Sequence, residues 1–341
     1  MRKMICVISL FAVLGYFQGF QGFAHGEDIK AKLKAMKPKD YPTQPIEFVV
    51  VYPAGGGMDV TARILAKYVE KYTDNRCVVV NKTGAAGLIG HTYLATQAKN
   101  DGYTVGVISA LFLVDDILRA KGKWSSKDLE PLYYINEDPV TWIVSTSGPL
   151  KDKALKDIIK MAKENPGTIK VAVSPDGSGQ WVAEQVEMLA GVKFIKVPFQ
   201  GGAPTVVAML GGHIDIAGYY LPEYRGHLEA GKVKVLAQTG RERSSFLPDV
   251  PTYNEVLGVD EILWSAVRWA AAPRGVAKDR SNYLEAAIAA ALHDPDCIKD
   301  FDQAGNKVGL KYLSGKQMSE EIDRLYESQK KFFAGIGRIP K

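Results

Sequence analysis

Three times along this chain an apolar run of strand length ends in small residues and opens at once into a helical pattern. The first is Val49-Val50-Val51-Tyr52-Pro53-Ala54-Gly55-Gly56-Gly57-Met58-Asp59. The second is Val79-Val80-Asn81-Lys82-Thr83-Gly84-Ala85-Ala86-Gly87-Leu88-Ile89-Gly90, and the third is Val173-Ser174-Pro175-Asp176-Gly177-Ser178-Gly179-Gln180. Glycine lets a backbone approach a ligand with no Cβ in the way. The unpaired amides at a helix start, with the positive end of the helix dipole, favour an anion. Converging turns of this kind make a carboxylate or phosphate receptor without an arginine. The first turn lacks the G-x-G-x-x-G spacing and none contains G-x-x-x-x-G-K-[ST], so dinucleotide and nucleoside triphosphate sites lose their main support.

The same alternation extends along the chain. Strand-length runs at 46–52, 77–81 and 103–108 are separated by helical patterns at 59–73 and 88–98, which predicts βαβ units and a parallel sheet. A second set follows, with runs at 143–145, 169–173, 194–199, 214–219 and 233–239 and helices at 154–164 and 180–189. The polar segment 241–251 contains Pro248 and Pro251 and reads as a connector; a further strand is expected at 264–272 and helices at 280–292, 295–304 and 318–333. A chain of 341 residues accommodates two domains. The division expected is 42–140 with 262–341 as domain I, and 141–261 as domain II.

Residues 1–26 have the three parts of a secretory signal: Arg2 and Lys3, an apolar stretch from Met4 to Phe17, and the small-residue exit Ala24-His25-Gly26. The expected product is a periplasmic protein. Gln18 and Gln21 interrupt the apolar run, which falls short of the ~20 residues of a spanning helix. Residues 27–41, with Lys30, Lys32, Lys34, Lys37 and Lys39, read as a solvated leader. The formal charge of +5 is mild, and no run of Arg with aromatics suggests a nucleic-acid groove. Cys6, Cys77 and Cys297 have neither the number nor the spacing of a disulfide scaffold or zinc site, and His25, His91, His213, His227 and His293 show no ligand spacing. No metal or cofactor is expected.

Read in order, the turns resemble the extracytoplasmic substrate-binding proteins of tripartite tricarboxylate transporters, the Bug family. The resemblance runs from Tyr41-Pro42 and Pro45-Ile46 through Pro53-Ala54-Gly55-Gly56-Gly57, Asp59, Asn81, Gly84, Gly87, Gly90 and Asp101-Gly102-Tyr103-Thr104. It continues through Asn165-Pro166-Gly167, Val197-Pro198-Phe199, Gly202-Ala203-Pro204, Leu210-Gly211-Gly212, Asp215, Ala230-Gly231-Lys232 and Leu247-Pro248-Asp249-Val250-Pro251-Thr252. It implies an α/β fold: a two-domain periplasmic binding protein of the second type, a Venus flytrap with its ligand cleft between the domains. The implied partners are a small-molecule carboxylate and the membrane subunits of the transporter, with the receptor itself a monomer. By matching position, the resemblance assigns Ala54, Gly55, Gly56, Asp59, Gly84, Ala85, Ala86 and Gly87 as first-domain ligand contacts. From the second domain it assigns Ser174, Ser178, Gly179, Gln180, Gln200, Gly201, Gly202 and Ala203.

Departures from the family pattern bear on the ligand. Relatives that take amino acids place an acid after the strand holding Asp215, where this chain has Tyr219 and Tyr220, so an amino-acid ligand is disfavoured. Phe112, Trp181, Tyr219 and Tyr220 are candidate walls for an aromatic or long-chain carboxylate, with core packing as their alternative. No catalytic residue is expected. The hydrolase alternative lacks a G-x-S-x-G elbow, and its S-x-x-K match at Ser328–Lys331 falls on an amphipathic tail helix. A ligand sensor for a signalling receptor would use the same pocket, so sequence leaves that reading open beside transport.

Overall fold

The computed structural model describes residues 26–175, 177–199, 202–262, 264–306, 308 and 312–340. The expected signal segment therefore lies outside the described residues, apart from Gly26. The first lobe begins with α1 (Gly26–Met36), β1 (Ile46–Val50), α2 (Gly57–Thr73), β2 (Cys77–Asn81), α3 (Leu88–Thr96), β3 (Thr104–Ser109), α4 (Leu111–Leu118) and β4 (Leu129–Asp138). The chain then enters the second lobe. This contains β5 (Thr141–Ser145), α5 (Leu155–Glu164), β6 (Lys170–Val173), α6 (Ser178–Ala190), β7 (Ile195–Pro198), α7 (Ala203–Leu210), β8 (Ala217–Tyr219), α8 (Arg225–Glu229), β9 (Val233–Gln238) and α9 (Tyr253–Leu257). It returns through β10 (Ala266–Pro273), α10 (Lys278–Leu292), α11 (Pro295–Gln303) and α12 (Gly315–Gly335).

The first sheet runs β2-β1-β3-β10-β4. Its strands β2, β1 and β3 are parallel, as the alternation predicts. Returning strand β10 is antiparallel to both β3 and β4, so the expected all-parallel sheet is corrected to a mixed one. Parallel pairs need a helical crossover, whereas β10 arrives from the other lobe and is free to run the opposite way. The second lobe pairs β8-β5-β9 antiparallel and β6-β7 parallel, with Val171 and Ile216 bridging the two sheets.

Both faces of the first sheet are covered. Leu65 and Val69 of α2 and Leu284 and Ile288 of α10 pack with Val105 and Val107 on one side. Leu94, Leu113, Met318, Ile322 and Leu325 pack with Val49, Val51, Ile108 and Trp269 on the other. Helix α12 joins the lobes: its early apolar residues serve the first sheet, while Phe332 and Phe333 enter the second lobe's core beside Trp181 and Trp264.

The lysine-rich leader is not a solvated strand of chain. It forms α1, whose Leu33 is buried in the first core, with Ile29 packed beside it. Ile29 and Leu33 are four residues apart and share one helix face, leaving the lysines outward. Among the described residues, no helix is long and apolar enough to cross a membrane.

Candidate functional site

The two Gly-rich turns of the first lobe lie side by side because β1 and β2 are neighbours in register. In the first, residues 53–57 are exposed, Gly55 has φ +83°, and Gly56 precedes α2 with no side-chain cap. The leading amides of α2 are therefore left for water or a ligand. Asp59 does not offer its carboxylate outward. Its Oδ2 accepts from Gly55 N at 2.9 Å and Arg63 Nε at 2.8 Å, and its Oδ1 accepts from Asn81 Nδ2 at 3.0 Å. Burial opposes ionisation, but these bonds hold the carboxyl below the usual carboxylate range. Asp59, expected as a ligand contact, is thus a clamp: its Asn81 bond ties the first turn to the second.

The second turn is backbone under constraint. Gly84, Ala85, Ala86 and Gly87 all have positive φ, at +130°, +47°, +52° and +99°. For two alanines in succession that is costly. Arg119 of the segment after α4 holds the shape, donating from Nη1 to Ala85 O at 3.0 Å and from Nη2 to Ala86 O at 3.3 Å. The guanidinium is fixed in turn by Asp115, which accepts from Arg119 Nε at 2.6 Å and pairs with His91 Nδ1 at 2.7 Å. His91 and Asp115 are fully buried. Gly87 has its own reason to be glycine, since a side chain there would press on the Tyr52 ring at 3.2 Å.

In the second lobe, Gly177 precedes α6 in extended backbone with no side-chain cap. Ser178 and Gly179 are buried at that helix start, and Gln180 donates to Glu184 at 2.9 Å. The Tyr219 hydroxyl lies beside Ser174 and that of Tyr220 beside Ser178. The two tyrosine rings meet edge to face at 6.1 Å. Gln200 and Gly201 lie outside the described residues, and Ala203 opens α7.

Gly202, expected as a ligand contact, is engaged by Glu223. Its amide and that of Tyr220, the latter at 3.1 Å, both donate to Glu223, whose carboxyl fills the space where a Gly202 side chain would be. Burial pushes the Glu223 carboxyl up to about 7.

Two proposed walls belong to the cores. Phe112 is 1% exposed, stacks on Trp124 at 5.0 Å and meets His91 edge-on at 5.1 Å. Trp181 is fully buried among Trp264, Phe332 and Phe333. Position 181 falls on the inner face of α6, where its ring packs against Phe332 and Phe333 of α12. Of the expected aromatic set, Tyr219 and Tyr220 are half-buried, and the Tyr220 ring faces Arg268 of the first sheet.

Two arginines escaped the sequence reading. Arg119 is one; Arg268 of β10 is the other, buried, paired with Asp138 and set with its guanidinium 5.9 Å from the Tyr220 ring of the opposite lobe. No local motif marks either, because their partners are distant in sequence.

Residues 61–330 match the model of the family described as "Tripartite tricarboxylate transporter family receptor", TctC. A Cupriavidus necator protein named "UPF0065 protein in gbd 5'region" is 30% identical over 305 residues, covering 87% of this chain and 89% of that one. Protein BugT of Bordetella pertussis is 29% identical over 303 residues, covering 87% and 88%. Among solved structures, R. palustris Rpa4515 with adipate superposes with a TM-score of 0.75 at 26% identity, covering 87% of this chain and 99% of that one. The periplasmic binding protein BugD gives 0.72 at 27%, with the same coverage. The two-lobed solute-binding architecture, the paired Gly-rich turns and the family match over most of the chain agree: this protein belongs to the TctC family of tripartite tricarboxylate transporter receptors.

Proposed function

We propose that this protein is an extracytoplasmic receptor that captures an organic carboxylate between its lobes and delivers it to the membrane subunits of a tripartite tricarboxylate transporter, with no chemistry of its own. The observation carrying this reading is the pair of Gly-rich turns, 53–57 and 84–87, locked together through Asp59 and Asn81 beside an uncapped helix start. Ligand contacts come from the backbone of Ala54, Gly55, Gly56, Gly84, Ala85, Ala86 and Gly87. Ser174, Ser178, Gly179, Gln180, Tyr219 and Tyr220 close on the ligand from the second lobe. A ligand touching both lobes stabilises the closed form, and the transporter reads that form. Adipate in a relative of matching fold supports a linear carboxylate as the first ligand to try.

Thermal shifts of the mature protein, refolded free of ligand, test the reading against dicarboxylates, tricarboxylates, aromatic carboxylates and amino acids. Ligand at ~100 times its Kd adds about 2.7 kcal/mol, which moves the midpoint of a chain this size by several degrees. A shift with at least one carboxylate class is expected; no shift with any of them contradicts the reading.

A further inference from the structure

We propose that Arg268 is the side chain that selects ligands bearing a second anionic group, receiving that group on its Nη2. The proposal rests on the carboxylate reading above and adds to it the residue that discriminates dianions from monoanions. Arg268 is 3% exposed and lies where the two lobes meet. Nη1 donates to Asn136 Oδ1 at 3.2 Å and to Asp138, while Nε points at Met58 Sδ at 3.0 Å, a weak acceptor. Nη2 has no hydrogen-bond partner among the described residues. It lies 3.7 Å from where a side chain on Gly57 would sit, which places it against the first Gly-rich turn.

A guanidinium presents its donors in a planar fork that suits carboxylate oxygens. Here one side of the fork is satisfied by Asn136 and Asp138, and the other faces the turn where a ligand is proposed to bind. Nη2 is not among the fully buried polar atoms, so a ligand can reach it, and an anionic group that meets it between the lobes gains more than it would in bulk water. Asp138 and Tyr134 from the first lobe and Glu223 and Tyr220 from the second are the titratable groups around it. Asp138 offsets the arginine's charge. Burial raises the Glu223 carboxyl to about 7, so about a pH unit below that it is mostly protonated and competes little for Nη2. A monocarboxylate seated on the backbone amides leaves Nη2 unmet, whereas a dicarboxylate of suitable length reaches both.

The test is calorimetric titration of the mature protein, near pH 6, with adipate and with hexanoate, which share a chain length and differ by one carboxylate. Wild type is expected to prefer adipate by about tenfold or more, the worth of one well-placed charged hydrogen bond. Arg268→Met combined with Asp138→Asn removes both charges and leaves no orphaned ion. That variant should retain hexanoate affinity and lose the preference. In wild type, the Arg268 guanidinium resonances should shift with adipate and not with hexanoate, a readout that needs no variant. Equal affinities in wild type, a preference that survives in the folded double variant, or resonances that ignore adipate would each overturn the role of Arg268 while leaving the carboxylate reading standing. Failure of both acids to bind, alongside silence across the wider carboxylate panel, would overturn the two together.

Discussion

Asn81 Nδ2 donates to Asp59 Oδ1 and to the carbonyl of Tyr52, both at 3.0 Å, so one amide at the end of β2 holds the strand end and the helix start of the neighbouring unit. The two turns proposed to cradle a carboxylate are therefore tied to each other. Asp59→Ala removes the acceptor for Asn81, Gly55 N and Arg63 at once. The expected cost is about 2–4 kcal/mol, since a buried donor left without its partner loses more than the bond's net worth. Ligand affinity should fall by at least about tenfold in molecules that stay folded, read by denaturant melts and calorimetry on the same sample. Unchanged affinity would mean that the turns do not need each other.

Arg119 acts on the second turn by shape as well as by charge. It spans Ala85 O and Ala86 O while Asp115 grips its other edge. Arg119→Lys keeps the charge and gives up the fork. If the left-handed alanines depend on that fork, Lys weakens carboxylate binding about as much as Met does; if charge alone matters, Lys preserves it. Comparing the two variants by calorimetry decides between these outcomes, and the geometry favours the first.

Glu223 makes stability depend on pH. Its carboxyl, raised by burial to about 7, binds a proton more tightly folded than unfolded, where the ordinary value near 4.3 applies. The folded state is thus favoured most below pH ~4 by this group, and its contribution is lost as pH rises through about 7. Glu223→Gln should flatten that decline and stabilise the protein at pH 8 by about 1–3 kcal/mol relative to wild type. Chemical denaturation across pH 5–8 checks this, and identical slopes for the two proteins would refute it.

Trp181 is a core residue, so Trp181→Ala should act on the fold. Truncating a fully buried tryptophan costs about 3–5 kcal/mol. Whatever affinity remains should change by the same factor for aromatic and aliphatic carboxylates. A loss confined to aromatic ligands would place the ring back at the cleft.

How far the sequence reaches is visible in particular residues. The βα turns were legible because glycine and helix periodicity are local signals, and β1, α2, β2 and β3 form where that alternation predicts. β4 was not, since Leu129–Asp138 carries Pro131 and four polar positions that mask its alternation. Helix α4 also escaped, being eight residues long and apolar on nearly every side. The burial of Phe112 and Trp181 depends on Trp124 and on α12, which no local pattern brings near. Arg119 reaches the second turn across 34 residues of chain, and Arg268 reaches Asp138 across 130. Such pairings are decided by topology, which is why the sequence suggested a receptor that needs no arginine and the fold supplies two.

The central claim is that a carboxylate sits on the Ala54–Gly57 turn. Gly56 lies in extended backbone with 3.5 Å to the nearest atom, Pro53 O, so a side chain fits there without strain. Gly56→Asp consequently places a fixed negative charge at the proposed anion site while leaving the fold intact. Calorimetric titration of wild type and Gly56→Asp with the best carboxylate from the thermal panel is the direct test. Saturable binding in wild type, abolished in a variant with the same circular dichroism, is the predicted result; equal affinity in the two proteins would contradict the account.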